Sequence, residues 1–387
     1  MTDVGADADL RTGRSQARAA TTNPLGAATA RLHYAARIED AVDRRVARAL
    51  RARGWTVRVE GYPGYGTPHW VRILARAVLA APQVTDQDLP GAGAAQAGGE
   101  WQGTEAQAVR GWRSFLTASV AGAHVEVRIG STVHRLVTDR GGYVDQVLTA
   151  DLAPGWHTVE LTTQDGSTTT APVQVVDPAT RFGIVSDIDD TVVITRLPRP
   201  FIAAWNVLFR HENAREAVPG MPQLFARLLA DDPLIPVLYL STGAWDAAPA
   251  VGRFLHRHRF PPGTLLMTDW GPTNTGWFRS GPRHKVAQLN RLFAEFPQIS
   301  WVLLGDDGQH DPEIYAGAAR HFPDHVRAIL LRQLTFAEHV LSHGSPAPTV
   351  GGAQAERAAR AEHVLVLQGP DGNALVRAAD RVGLRLR

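Results

Sequence analysis

The amino-acid sequence predicts an all-β sandwich followed by an α/β domain whose parallel sheet has helices on both faces. Two observations support this division. Between residues 55 and 176, apolar residues alternate with polar ones and turn sequences separate the runs, which is typical of antiparallel strands. From residue 182 onward, short apolar runs alternate with amphipathic helical segments, which indicates βαβ units and a parallel sheet.

The sequence before residue 178 divides into three parts. Residues 1–30 are rich in Ala, Thr, Gly and Asp without periodicity, so we predict a disordered tail. Residues 31–54 carry apolar residues every four positions, which predicts a helix that ends at Gly54. Residues 55–178 predict a sandwich of immunoglobulin-like type, because its strands are short and closely spaced, with a long loop at residues 91–99. The residues of this domain form no catalytic constellation, and we expect it to bind or position a partner.

Asp177-Pro178 marks the predicted boundary between the two domains, because proline cannot donate to a strand ladder. Residues 179–341 are the predicted α/β domain, and its predicted strands are residues 182–185, 235–240, 265–267, 301–304 and 328–331. Residues 342–361 are rich in Ser, Pro, Gly and Ala and predict a linker. Residues 362–387 predict a small C-terminal appendage to which the sequence assigns no role.

The composition excludes several classes of protein. The absence of cysteine excludes disulfides and thiolate metal sites, and a formal net charge of +2 does not indicate nucleic-acid binding. The first thirty residues contain no secretion-signal pattern and no later apolar run reaches membrane-spanning length, so the sequence predicts a cytoplasmic protein. Only one of the 40 basic residues is a lysine, Lys285, which suggests a specific role for its ammonium group.

Three carboxylates follow the first predicted strand of the α/β domain. Asp187, Asp189 and Asp190 precede Thr191. Carboxylates at a strand end repel one another unless a cation or a proton holds them together, and that edge of an open α/β sheet is where ligands bind. Taken alone, Asp-Asp-Thr could equally cap a following helix. Three later stretches favour a functional site.

The first of these stretches is Ser241-Thr242-Gly243, which follows a predicted strand. It offers two hydroxyls and a glycine whose neighbouring amides can approach an anion, although an N-cap for the next helix is an alternative. The second is Lys285 at the start of a predicted helix, where a cation opposes the helix dipole. The third is an acidic cluster after the strand at 301–304, formed by Asp306, Asp307 and Asp311.

Together these groups predict phosphoryl-transfer chemistry. Two acidic strand ends close together would hold one hard cation through oxygen ligands, as Mg²⁺ prefers. The cation and Lys285 would neutralise a phosphoryl group, and Ser241 with nearby amides would bind its other oxygens. A carboxylate can then attack phosphorus to form an aspartyl-phosphate. Asp189 would protonate the leaving oxygen and later activate water.

The order of the motifs resembles the haloacid dehalogenase superfamily of phosphohydrolases, which implies a Rossmann-like catalytic domain. Asp187 to Thr191 looks like the first motif of that superfamily, Ser241 the second and Lys285 the third. Gly305-Asp306 with Asp307 and Asp311 looks like its acidic fourth motif. Response-regulator receivers also use Asp, Ser or Thr, and Lys, but there the paired acids come first and the lysine last.

Residues 180–335 are similar, more narrowly, to the catalytic domain of the actin patch protein family of phosphatidate phosphatases. The segments that carry this similarity are Asp269-Trp270-Gly271, Gly276-Trp277-Phe278, Gly281-Pro282 and residues 305–315. The resemblance implies Mg²⁺-dependent conversion of phosphatidate to diacylglycerol and phosphate. It also implies that Asp187 is the nucleophile, Asp189 the acid and base, and Asp306 a metal ligand. Asp307 stands where many members have Ser or Thr, and its extra negative charge would change the affinity for a metal. The candidate metal ligands are Asp187, Asp189, Asp306, Asp307 and Asp311.

Two alternative functions follow from the same sequence. One is a phosphatase for soluble phosphomonoesters or phosphoproteins. The other is an adaptor whose sandwich does the work while the α/β domain is idle, although the complete set of acids, hydroxyl and lysine argues against it.

An aromatic segment after Thr191 bears on membrane contact. Phe201, Ile202, Trp205, Leu208 and Phe209 fall on one face of a predicted helix, with arginines at both ends. This face either packs on its own domain as a short flap or inserts partly among anionic lipid headgroups. The second interpretation would place the protein peripherally at a membrane.

Overall fold

A computed structural model describes residues 45–80, 118–194, 215–268, 281–308, 310–336 and 362–386, together with residues 338, 357 and 359–360. The chain divides into two compact units, with the division between Val175 and Val176. The predicted tail, the loop at 91–99, the aromatic segment, the two tryptophan motifs of 269–278 and most of the predicted linker lie outside the described residues. Among the described helices, none combines the length and the apolar character needed to cross a bilayer.

The described residues of the first unit form one sheet of eight strands, preceded by a short helical segment at residues 45–51. The strands are β1 (Thr56–Thr67), β2 (Trp70–Ala80), β3 (Ala118–Ser119), β4 (His124–Ile129), β5 (Thr132–Val137), β6 (Tyr143–Thr149), β7 (Gly155–Thr163) and β8 (Thr168–Val175). Their spatial order is β3-β2-β1-β8-β7-β4-β5, and β6 pairs with β2. Alternate residues of these strands, such as Val59, Ile73, Val127, Leu161 and Val173, form one apolar core.

The predicted immunoglobulin-like sandwich is therefore wrong. A sandwich needs two separate antiparallel sheets packed face to face. Here β1 pairs with β2 in antiparallel fashion and, at Gly64 to Gly66, with β8 in parallel. The first and the last strand of the unit are therefore neighbours in one mixed, nearly closed, barrel-like sheet. The alternating pattern identified strands and their buried faces, but it contains no information on which strands pair.

The second unit contains a sheet of six strands, all paired in parallel. The strands are β9 (Phe182–Asp187), β10 (Val237–Ala244), β11 (Thr264–Thr268), β12 (Ser300–Asp306), β13 (Val326–Arg332) and β14 (Leu365–Gly369). The helices are α1 (Met221–Leu228), α2 (Ala248–Arg257), α3 (Gly281–Glu295), α4 (Asp311–His321) and α5 (Gly372–Arg381). The predicted fold class as a whole, a haloacid dehalogenase-like Rossmann sheet preceded by an immunoglobulin-like sandwich, is thus corrected to a barrel-like mixed sheet and a separate parallel sheet.

The parallel sheet determines where a ligand can bind. Its order is β11-β10-β9-β12-β13-β14. The strands that follow β9 in sequence, β10 and β11, lie on one side of it, and β12, β13 and β14 lie on the other. Ile184, Val185, Leu303 and Leu304 in these two central strands are fully buried, as expected for strands covered on both faces. In open α/β sheets, ligands bind beyond the carboxyl ends of the strands where the order reverses, here β9 and β12.

Candidate active site

Parallel pairing places the predicted site residues at one edge of the second sheet. Asp187 ends β9 and pairs in register with Leu240 of β10, so Ser241 follows directly beside it. Asp306 ends the other neighbour, β12, and Asp311 begins α4 a few residues later. Asp187, Asp306, Ser241 and Asp311 are all buried. The strand ends thus bring together groups that are far apart in sequence.

Lys285 joins the two acidic segments. Its Nζ lies 2.6 Å from Asp187 Oδ1 and 2.5 Å from Asp311 Oδ1. Burial lowers the pKa of the ammonium group, but the two carboxylates outweigh burial and raise that pKa above its usual value. Lys285 is therefore a permanently charged group with only 4% of its surface exposed.

The surroundings of Asp187, unlike those of Lys285, favour its neutral form. Burial raises its pKa, Lys285 lowers it, and the neighbouring Asp311 and Asp189 raise it further, so that the pKa reaches about 8. A positive charge placed near Asp187 would favour its ionised form.

Asp187, Asp306 and Asp311 form a cluster that could hold a metal ion, since each offers a carboxylate oxygen and these oxygens lie within 4.8 Å of one another. Within the described part of the chain, neither Asp187 Oδ2 nor Asp311 Oδ2 has a hydrogen-bond partner, although both atoms are buried. A buried carboxylate oxygen without a partner is costly, and a hard cation with oxygen ligands would satisfy both. The cluster therefore fits a divalent cation.

Asp189 and Asp307, the other two candidate ligands, lie outside this cluster. Asp189 Oδ2 accepts a hydrogen bond of 3.3 Å from Ser241 Oγ, which places it beside the predicted phosphate-binding hydroxyl. Asp307 Oδ1 accepts a bond of 2.8 Å from the amide of Leu334. Successive side chains at a strand end point in opposite directions, which explains why Asp306 and its neighbour Asp307 serve different partners.

The segment Ser241-Thr242-Gly243 lies inside β10 and is fixed by hydrogen bonds. The amide of Gly243 donates to Ser241 Oγ at 3.0 Å. Thr268 Oγ1, on the neighbouring strand β11, lies 2.7 Å from the carbonyl oxygen of Thr242 and 3.0 Å from that of Gly243. These bonds hold the backbone beside Asp187 in one conformation.

Sequence reasoning missed two residues that support the site. Tyr315 is fully buried on α4, and its hydroxyl donates to the carbonyl of Leu304 at 3.0 Å, which holds the helix that carries Asp311 against β12. Arg332, at the end of β13, is also buried. Sequence reasoning assigned a role to neither of them, since Tyr315 occurs there only as the end of the 305–315 similarity segment and Arg332 is one of many arginines.

Comparison with known proteins adds a family assignment for part of this unit. Residues 182–333 match the family described as "Phosphatidate phosphatase APP1, catalytic domain". Over 164 residues the chain is 27% identical to phosphatidate phosphatase APP1 of Saccharomyces cerevisiae, covering 42% of this chain and 27% of the yeast protein. Over 157 residues it is 24% identical to an uncharacterised protein of Schizosaccharomyces pombe, covering 40% of this chain and 25% of that protein. The chain thus spans about a quarter of the length of these relatives.

Solved structures give weaker similarities. A carbohydrate acetylesterase from Xanthomonas citri aligns over 78% of this chain and 72% of its own, with a TM-score of 0.26 and 10% identity. A 2,6-sialyltransferase from a Photobacterium species aligns over 67% of this chain and 52% of its own, with a TM-score of 0.23 and 8% identity. Scores this low carry no conclusion about fold or function.

Proposed function

We propose that this chain is a phosphatase that hydrolyses phosphatidate to diacylglycerol and phosphate, because residues 182–333 match the catalytic-domain family of phosphatidate phosphatase APP1. The observation that carries the proposal is the position of Lys285 between Asp187 and Asp311, beside a buried carboxylate cluster at the ends of β9 and β12. A fixed ammonium group beside a nucleophilic carboxylate suits a phosphoryl group, whose oxygens need positive charge.

Asp187, Asp306 and Asp311 would hold Mg²⁺ in this proposal, because their oxygens converge and two of them lack other partners in the described chain. Bound there, the ion would neutralise charge on the phosphoryl oxygens. Lys285 adds a second positive charge, 2.6 Å from Asp187 Oδ1.

Asp187 is the proposed nucleophile. Its carboxylate attacks phosphorus, which forms an aspartyl-phosphate, and the bond between phosphorus and the glycerol oxygen breaks. Asp189, held by Ser241, delivers a proton to the departing oxygen and then removes one from the water that hydrolyses the aspartyl-phosphate. Ser241 Oγ, beside Asp189, is the proposed group that binds the phosphoryl oxygens that Lys285 does not reach.

Substrate presentation at a membrane surface is part of this proposal. Phosphatidate is held in a bilayer, so the enzyme must work peripherally at a lipid surface. The aromatic segment at residues 201–209 is the proposed contact, and it lies outside the described residues.

Substitution of Asp187 tests the proposal. We expect Asp187→Asn to lower kcat on phosphatidate micelles with Mg²⁺ by about 10⁴-fold or more, since the amide cannot attack phosphorus. The variant should remain folded, because asparagine has the same shape. Asp324→Asn, at an exposed carboxylate in the short turn before β13, is the matched control and should retain full activity. Near-parental turnover by Asp187→Asn would rule out the aspartyl-phosphate route, and a preference for glycerol phosphate or a phosphopeptide would replace the lipid substrate.

Metal binding can be tested without activity. A ligand that binds only the folded state raises its stability, by about 2.7 kcal/mol at a concentration of 100 times Kd. Mg²⁺ should therefore raise the Tm of the parent, and EDTA should reverse the shift. Asp306→Asn should abolish the shift, whereas Asp307→Asn should retain it, because the substituted amide can still accept the bond from Leu334 through its side-chain oxygen. Equal loss in both variants would mean that Asp307 contributes to the metal site.

A further inference from the structure

A buried arginine outside the carboxylate cluster connects three segments of the second unit. Arg332 is the last residue of β13, and it pairs in register with Asp306 on one side and with Gly369 of β14 on the other. Only 3% of its surface is exposed. A guanidinium group at this depth must be held by hydrogen bonds on all its sides, because its desolvation is otherwise costly.

The partners of Arg332 come from separate parts of the chain. Nη1 donates to the carbonyl oxygen of Asp190 at 2.7 Å, Nη2 pairs with Glu338 Oε1, and Nε donates to the carbonyl oxygen of Pro370 at 3.3 Å. Glu338 is itself fixed, because its other carboxylate oxygen accepts bonds from the amide and the hydroxyl of Thr335, at 2.8 and 2.9 Å. The planar fork of Arg332 is thus locked in one orientation.

Asp190 is the partner that matters for the active site. Its φ of 55° lies in the left-handed region, which few residues with a side chain adopt. Its amide donates to the carbonyl of Val193 at 2.8 Å, and Arg332 binds its carbonyl, so both peptide groups of Asp190 are held. Asp189, which precedes it in this turn, accepts the hydrogen bond from Ser241 Oγ.

We propose that Arg332, locked by Glu338, is a positioning residue that holds the turn at residues 188–193 and thereby the direction of the Asp189 carboxylate. It rests on the proposed function, in which Asp189 handles the proton of the leaving group. Arg332 does not touch the reacting atoms, since its partners are two carbonyl oxygens and Glu338. Its loss should lower kcat and leave KM unchanged, because the proton transfer needs alignment while phosphate binding depends on Lys285 and Ser241.

The variant for the test is Arg332→Lys, which keeps the charge and loses the planar fork. The matched control is Arg327→Lys, the same exchange on the same strand at an exposed position near Phe182, at the opposite end of the sheet. The first measurement is amide hydrogen exchange of the turn, whose hydrogen-bonded amides include those of Asp190, Val192 and Val193. In Arg332→Lys we expect these amides to exchange about tenfold faster, while amides of β9 stay unchanged.

The second measurement is steady-state hydrolysis of a short-chain phosphatidate. A displacement of about 1 Å can cost about 100-fold in rate, so kcat should fall by about that factor in Arg332→Lys at constant KM. Arg327→Lys should match the parent in both measurements. If Arg332→Lys does not fold, Glu338→Gln replaces it, because it weakens the contact with Arg332 without removing the arginine. The faster exchange in the turn and the lower kcat should then both appear, but each change should be smaller.

The outcomes separate this proposal from the proposed function. Unchanged exchange in the turn would overturn the positioning role, whatever the activity. Faster exchange with unchanged kcat would overturn its link to catalysis. A parent protein without phosphatase activity would remove the proposed function, and the exchange data alone would then decide whether Arg332 holds the turn.

Discussion

Lys285 carries one positive charge among three buried carboxylates. It contacts Asp187 and Asp311 directly, and Asp306 completes the cluster. One ammonium group balances only one carboxylate, and buried charge without compensation is costly. The charge balance among these residues therefore favours a divalent cation.

Lys285→Arg should lose most of the activity, by about 100-fold in kcat, because a wider planar group displaces Asp187 from its alignment. The measurement is hydrolysis of a short-chain phosphatidate together with Tm. Arg283→Lys, the reverse exchange at an exposed position two residues earlier on α3, is the matched control and should behave as the parent. Parental activity of Lys285→Arg would mean that only the charge matters.

The sequence was informative about these residues for a physical reason. Carboxylates and hydroxyls that directly follow apolar strands must lie at one edge of a parallel sheet, and Lys285 was conspicuous as the only lysine. Whether Asp307 or Asp311 is the further ligand could not be predicted, since this depends on side-chain directions in a turn. Arg332 could not be predicted either, because its partners, Asp190 and Pro370, are distant in sequence.

At the scale of elements, the turn from β12 into α4 is packed too closely for a side chain at Gly305. A Cβ there would lie 2.6 Å from Asp311 Oδ2 and 2.7 Å from Tyr315 Cε2. Real Cβ contacts are longer than this, so the helix start that carries Asp311 would have to move. The same strand pair has a second close contact at its other end, where a Cβ on Gly183 would lie 2.2 Å from the ring of Trp301.

These two glycines give a matched pair of variants. Gly305→Ala and Gly183→Ala should each lower the free energy of unfolding by about 1–3 kcal/mol, the usual cost of overpacking. Only Gly305→Ala should also weaken the Mg²⁺-dependent rise in Tm, because it displaces Asp311. Denaturant unfolding and thermal shifts measure both quantities. An equal Mg²⁺ response in the two variants would show that Asp311 is not part of the metal site.

Element prediction succeeded where local pattern determines structure. The strands predicted at 182–185 and 301–304 are Phe182–Asp187 and Ser300–Asp306, each extended by the polar residues that bear the site. The sandwich prediction failed because strand pairing is non-local. The unit is one sheet because β1 pairs with the antiparallel β2 and with the parallel β8. Buried residues such as Val57 and Val173 would alternate with polar ones in the same way in a sandwich and in a barrel-like sheet, so the sequence pattern does not distinguish the two.

At the scale of the whole molecule, the last described residues complete the sheet that bears the site. β14 pairs in parallel with β13, and α5 begins where Gly372 donates to the carbonyl of Pro219 at 2.8 Å, beside the start of α1. Gly220 there has a φ of 74°, and a Cβ on it would lie 2.3 Å from the amide nitrogen of Asn373. The family match ends at residue 333, before these elements.

Removal of residues 362–387 should therefore destabilise the catalytic unit. It exposes the edge of β13, whose unpaired backbone groups invite aggregation, and it removes the buried side chains of Val366, Leu367 and Leu375. Each such side chain contributes about 1.5–3 kcal/mol, so the loss exceeds about 4 kcal/mol, against a typical total of about 5–15 kcal/mol. We expect a truncated protein that aggregates or unfolds near ambient temperature, measured by light scattering and thermal denaturation.

A milder variant separates the edge strand from its helix. Asp371 caps α5 by accepting a bond of 2.8 Å from the amide of Ala374, so Asp371→Ala should cost about 1 kcal/mol and leave β14 in place. It should lower Tm slightly without promoting aggregation, because the edge of β13 stays covered. A truncated protein with parental Tm and no aggregation would mean that β13 tolerates exposure as an edge strand, and that the catalytic unit is complete without the C-terminal segment.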